Sequence, residues 1–287
     1  MRFITLSLAI IAAVVGNAAA ERFVNPSPAN VRRVDLSHLP PAPQPVTNAK
    51  RFSQGLPPIK PRSRKHRAAN IGNDALKRAT HVASAPRSQT SPSVPVQKRC
   101  NILVQTEGQT LGYIGRELIL FGQYGLFESN QRAALEVSFS YSPGSDTPVD
   151  WHATNGPTAA YPYVGGAVGY YSNGANLGPG SSNHIYVAAT NQAPSGSPPS
   201  HGDNSISTTS GKSADYESAI WIYDPATNNI RAQWINADGS APTTYLVYSS
   251  SDVAFILSGD INALSVGNPS NYFAATFTCV PPVLQPA

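Results

Sequence analysis

The chain has only two cysteines in 287 residues, no Gly-x-Ser-x-Gly and no Asn-x-Ser/Thr sequon. The nucleophile elbow of serine hydrolases and N-glycosylation are therefore not expected. Its C-terminal histidines, His152, His184 and His201, are far apart, with no His-x-His or His-Glu-x-x-His spacing, and no metal is expected. Gly165-Gly166-Ala167-Val168-Gly169 has the glycine count of a phosphate loop but neither its Lys nor its following helix. It reads instead as a strand where backbones or bulky rings pack closely, and no cofactor is expected. No segment sustains helical spacing.

What the chain has is a division of charge. Residues 21–99 carry 15 Lys/Arg against 3 Asp/Glu, a net +12, whereas residues 100–287 carry 4 against 13, a net −9. The overall net charge of +4 hides this split. The foldable part is acidic, which argues against nucleic acid as a partner. Ahead of both lies a secretory pattern: Arg2, a short apolar run from Phe3 to Val15, and Ala18-Ala19-Ala20 for cleavage before Glu21. The run is too short to span a bilayer, so residues 1–20 are expected to be a signal peptide that leaves no membrane anchor.

Glu21 to Arg99 is rich in Pro, Ala, Ser, Lys and Arg and shows neither helical nor strand periodicity, the composition of a disordered pro-segment. Its dibasic pairs Lys50-Arg51, Lys77-Arg78 and Lys98-Arg99 suit a dibasic-specific processing protease, whose acidic subsites pair with adjacent cations. Lys98-Arg99 is the expected principal cut, releasing a domain that begins at Cys100. The competing reading is a merely solubilising basic linker.

Residues 100–287 read as one all-β domain. Cys100 and Cys279 sit near its two ends and are expected to pair in an oxidising compartment, which would make the first and last strands neighbours. Closing so long a loop is worth about 5 kcal/mol in the chain-entropy description. Ala134 to Tyr141 alternates cleanly, with Leu135, Val137, Phe139 and Tyr141 on one face. Further strand runs are Ile102–Thr106, Arg116–Phe121, Tyr163–Tyr171, His184–Thr190, Thr243–Tyr248, Val253–Leu257 and Phe273–Cys279. A hairpin is expected where Ile220–Tyr223 and Ile230–Ile235 flank the polar loop Asp224–Asn229. The pattern predicts an antiparallel two-sheet β-sandwich or jelly roll, with a single closed barrel as the structural alternative. Asn173–Asn183 and the long Ser/Gly/Pro run Asn191–Asp215 are expected loops.

Candidate chemistry is sparse. Trp221, Tyr223, Trp234 and Tyr245, with Asp224, Asn228 and Asn229 beside them, could stack on and hydrogen-bond an extracellular polysaccharide. Alternation makes a core role for both tryptophans the competing reading. Asp215 and Glu217 share a face if their strand starts early enough and, with Asp224, are the candidates for a carboxylate-dependent hydrolase, with a solvated strand edge as the competing reading. Asp150-Trp151-His152 offers an Asp/His pair with no nucleophile.

Several stretches resemble a family of secreted proteins in mushroom-forming fungi. They are Leu111-Gly112-Tyr113-Ile114, Ala153-Thr154-Asn155-Gly156-Pro157 with Pro162–Gly166, and Glu217–Trp221 followed by Ala232–Ser240. Arg51-Phe52 with Gly55-Leu56-Pro57-Pro58 resembles the pro-segment of the same family, although the polybasic content here is heavier. The resemblance implies a fungal, secreted protein and carries no catalytic residues. The sequence thus predicts a processed protein, extracellular or in the cell wall, that binds glycans. The alternatives are an extracellular hydrolase and a precursor of peptides released at the dibasic sites.

Overall fold

The structure, a computed structural model, describes residues 25–31, 34–42 and 94–283. Two compact units divide the chain, one formed by residues 1–41 with 95–287 and the other by Ala42–Val94, of which only the two end residues are described. The first unit is all-β. Its strands are β1 (Val96–Thr106), β2 (Gln109–Ile114), β3 (Phe127–Glu128), β4 (Glu136–Tyr141), β5 (Trp151–Ala153), β6 (Tyr163–Val168) and β7 (His184–Thr190). They continue as β8 (Tyr216–Glu217), β9 (Trp221–Tyr223), β10 (Asn229–Ala232), β11 (Tyr245–Ser249), β12 (Ala254–Ser258) and β13 (Tyr272–Val280). Every pairing is antiparallel.

The sheet closes on itself, and the expected sandwich is overturned. Eight strands run β1-β4-β5-β6-β7-β12-β11-β13 and return to β1, with β2, β3, β8, β9 and β10 added outside this ring. Closure depends on the length of β1. Its first half pairs with β4, Cys100 opposite Val137, while its second half pairs with β13, Ile102 opposite Cys279. A strand of ordinary length would serve only one of these neighbours along most of its course. The disulfide Cys100–Cys279, with Cα atoms 5.2 Å apart, lies at this seam and joins first strand to last as the sequence predicts.

The barrel is filled. Trp151 and Trp221 stack 4.0 Å apart with planes 10° from parallel, and Phe139 and Phe277 extend the stack on either side. Val137, Val164, Val187, Phe255 and Leu257 join the same core. On β7 and β12 the alternate residues Tyr186, Ala188 and Ile256 are buried as well, in a second cluster outside the barrel that includes Ile206 and Leu264. Both strands are therefore buried on both faces. The cover comes partly from a helix inside the expected loop Asn191–Asp215: Ser205–Ser210, with a capping box between Asn204 and Ser207 and a left-handed stop at Gly211. A four-residue helix, Ile261–Leu264, follows β12.

The glycines of β6 do what the sequence suggests. A Cβ on Gly166 would stand 3.0 Å from the Trp234 ring, and one on Gly165 would press on the backbone at Ser218. The hairpin forms as expected, with Tyr223 opposite Ile230, although Trp234 and Ile235 lie beyond its second strand. Arg116–Phe121 is not a strand. A turn closed by the Gly122 N–H donating to the Ile119 carbonyl at 2.9 Å breaks the run, with Gly122 at φ 88°.

Candidate functional site

The tryptophans proposed for a sugar platform lie inside the protein. Trp221 and Trp234 have no exposed surface and Tyr223 has 5%. Their polar edges are satisfied internally, Trp221 Nε1 donating to the Val164 carbonyl at 2.6 Å and Trp234 Nε1 to the Ala175 carbonyl at 2.7 Å. Asp224, Asn228 and Asn229 build the hairpin turn. The Thr227 hydroxyl and then the Ala226 N–H donate to Asp224 and hold its carboxyl below the usual carboxylate range. Tyr223 donates to Asn228 Oδ1 at 2.6 Å. Beside this turn a groove of about 410 Å³ brings Tyr223, Asp224 and Asn229 together with the Asp146–Arg231 ion pair.

The three carboxylates proposed for hydrolysis do not converge. Asp215 pairs with the exposed His201 at 2.9 Å. Glu217 is 3% exposed and accepts the Ile235 N–H at 3.0 Å. Burial pushes its carboxyl up to about 8, opposed only by that hydrogen bond. Asp224 belongs to the separate groove. Asp150 accepts from Ser218 and Gln192 rather than from His152, whose ring meets Tyr163 edge-on. Ser213 Oγ lies 3.3 Å from both ring nitrogens of His201, equidistant rather than in line with Nε2, so this exposed trio lacks the geometry of a catalytic triad. Among the described residues no group of three or more His, Cys, Asp or Glu is placed to hold a metal, and no helix is long and apolar enough to cross a membrane.

Of the processing residues, Lys98 and Arg99 lie within β1, opposite Phe139 and Ser138, and Arg99 pairs with Glu136. Ala20, Lys50, Arg51, Lys77 and Arg78 fall outside the described residues.

A cleft larger than the hairpin groove is one the sequence reading missed. It has a volume of about 900 Å³, and its apolar wall comes from Ile119, Leu120, Phe121, Leu126, Val253 and Leu264. Past Tyr186 and Ile256, β7 and β12 no longer pair. Tyr124 enters between them, donating its N–H to the Val187 carbonyl at 2.8 Å and accepting the Phe255 N–H at 3.0 Å. That wedge holds the residue 116–126 loop against the barrel. The helix Ser205–Ser210 fixes its other side, Ser205 donating to the Gly122 carbonyl and Thr209 to that of Phe121. Four consecutive apolar residues, Leu118–Phe121, are thereby left half-exposed without a sheet partner.

Across the cleft Val253 holds φ at 51°, a left-handed backbone that a β-branched residue adopts only under constraint. The constraint is visible: a Cβ on the facing Gly125 would overlap the Val253 carbonyl. Asn25, Ser27, Asn173, Ser182, His184, Ser251 and Asp252 supply the polar part of the lining, with the Tyr171 ring, and Pro26 and Pro28 close one side. An apolar run interrupted by glycine was the available signal, but alternation alone assigns such a run to a strand.

The chain matches no protein-family model, no curated protein and no solved structure.

Proposed function

We propose that this protein is a secreted β-barrel that binds an apolar small molecule in the cleft between the residue 116–126 loop and Val253. The observation that carries the reading is the cleft itself: about 900 Å³, with about half of its lining residues apolar, Ile119, Leu120, Phe121, Leu126, Val253 and Leu264 among them, and the rest polar. Ligand sites are commonly concave, apolar and of this size, with a small number of polar groups to orient the occupant. The strained Val253 on its wall fits the tendency of backbone strain to collect at binding sites. Secretion rests on the N-terminal apolar run with its small-residue cleavage pattern, and is compatible with a disulfide that persists in oxidising surroundings.

A glycan reading is weaker, because the smaller groove offers no exposed aromatic face: Tyr223 is buried and both of its neighbouring tryptophans are in the core. Hydrolysis is weaker still, since Asp215, Glu217 and Asp224 do not share a site. A thermal-shift panel separates the readings. Fatty acids, alkyl alcohols and aromatic apolar compounds are expected to raise Tm, and soluble cell-wall oligosaccharides to leave it unchanged. Stabilisation by oligosaccharides alone would overturn the proposal.

A further inference from the structure

The stretch expected to be a disposable pro-segment contains residues built into the barrel. Asn25 is 8% exposed and makes three hydrogen bonds to two distant parts of the chain. Its N–H donates to Asp252 Oδ1 at 2.9 Å, its Nδ2 to the Asp252 carbonyl at 3.0 Å, and its Oδ1 accepts from Gln123 Nε2 at 2.6 Å. Gln123 and Asp252 are themselves 0% and 5% exposed. The Asp252 carboxylate is oriented for this task, its Oδ2 accepting from Ser249 at 2.8 Å. Farther along, Leu36 is 8% exposed and belongs to the main hydrophobic core, with Val34 and Leu39 packed against it. The Thr158 hydroxyl donates to the Leu36 carbonyl at 2.7 Å.

A polar anchor and an apolar anchor thus hold the segment at two points. A buried amide with both of its ends paired is a specific recognition element, because a substituent that mismatches it leaves buried groups without partners. The only two cysteines pair with each other, so nothing covalent would hold this segment once the intervening chain is cut.

We infer that residues 25–31 and 34–39 are a resident part of the folded protein, and that the barrel surface formed by Gln123, Asp252 and Thr158 is an interaction surface for them. Hydrolysis of the chain between them, as at Lys50-Arg51 or Lys77-Arg78, gives a non-covalent two-chain protein rather than a released barrel. The inference does not depend on the apolar ligand.

The test uses the full secreted chain with the recognition site of a sequence-specific endoprotease inserted after Asn70. Denaturing mass spectrometry confirms the cut by showing two masses. Native mass spectrometry after size exclusion at micromolar concentration is then expected to show one species with the summed mass. Recovery of the barrel without its N-terminal peptide would overturn the inference. Asn25→Asp changes almost no volume but sets a second carboxylate against Asp252, and Leu36→Ala empties the apolar anchor. Each is expected to lower the retained fraction at least tenfold, and retention unchanged in both variants would overturn the assignment of these anchors.

Discussion

Glu217 shows how one residue sets a pH dependence. Burial raises its carboxyl from the ordinary 4.5 to about 8, so the folded protein keeps a proton that the unfolded chain gives up at lower pH. Stability from this group is therefore complete below about pH 4.5 and falls as pH rises toward 8, by at most about 5 kcal/mol across the interval. Glu217→Gln is expected to flatten the fall, leaving Tm little changed at pH 4 and higher than wild type at pH 8. An unchanged pH profile in scanning calorimetry would contradict it. Val253 makes the second point at this scale. Asn tolerates the left-handed backbone better than Val and removes methyl groups from the cleft wall. Val253→Asn is expected to weaken apolar ligand binding about tenfold without lowering Tm, as titration and melting curves would show. The sequence put Asp215 and Glu217 on one face only if their strand began by Asp215, and β8 begins at Tyr216. It could not show that Glu217 is sealed while Asp215 remains half-exposed, because the groups that cover Glu217, Gly165 and Ile235, come from other parts of the chain.

At the scale of elements, β1 governs both closure and processing. Peptide bonds are cut by endoproteases in an extended, unpaired backbone, whereas Lys98 and Arg99 are engaged in the β4 ladder next to the disulfide. A dibasic-specific protease is therefore expected to give no product beginning at Cys100 from the native protein. That product should appear only after reduction and denaturation. Its rapid release from native protein, seen in the intact mass, would show that the start of β1 opens readily. Alternation read β4 well from the sequence, since Val137 and Phe139 are buried between more exposed neighbours, whereas β7, buried at every residue, was legible only from its β-branched and aromatic content. Alternation failed at Arg116–Phe121, where four apolar residues look like a strand but Gly122 turns the chain away from any ladder. The helix Ser205–Ser210 escaped as well, because its buried face is made of Ser and Thr side chains that bond the cap, the helix backbone and the Phe121 and Gly122 carbonyls rather than of an apolar stripe.

For the whole molecule, the end-to-end disulfide was legible because two cysteines leave one intramolecular pairing. Closure of the sheet was not. Neighbouring first and last strands suit a sandwich and a barrel equally, and the choice turned on how far β1 extends ahead of Cys100 into residues assigned to the pro-segment. Replacing both cysteines by serine is expected to destabilise the barrel by about 3–5 kcal/mol, measured as a lower urea midpoint with an unchanged slope. The cleft also belongs to this scale, since its walls come from the residue 116–126 loop, the turn before β12 and the N-terminal segment. Titration of the purified protein with 1-anilinonaphthalene-8-sulfonate, beside a Leu126→Asp variant that charges an exposed part of the wall, tests apolar binding in that cleft most directly. A saturable one-to-one fluorescence rise in wild type, lost in the variant at unchanged Tm, is the expected result. No saturable binding in wild type, or equal binding in both proteins, would contradict it.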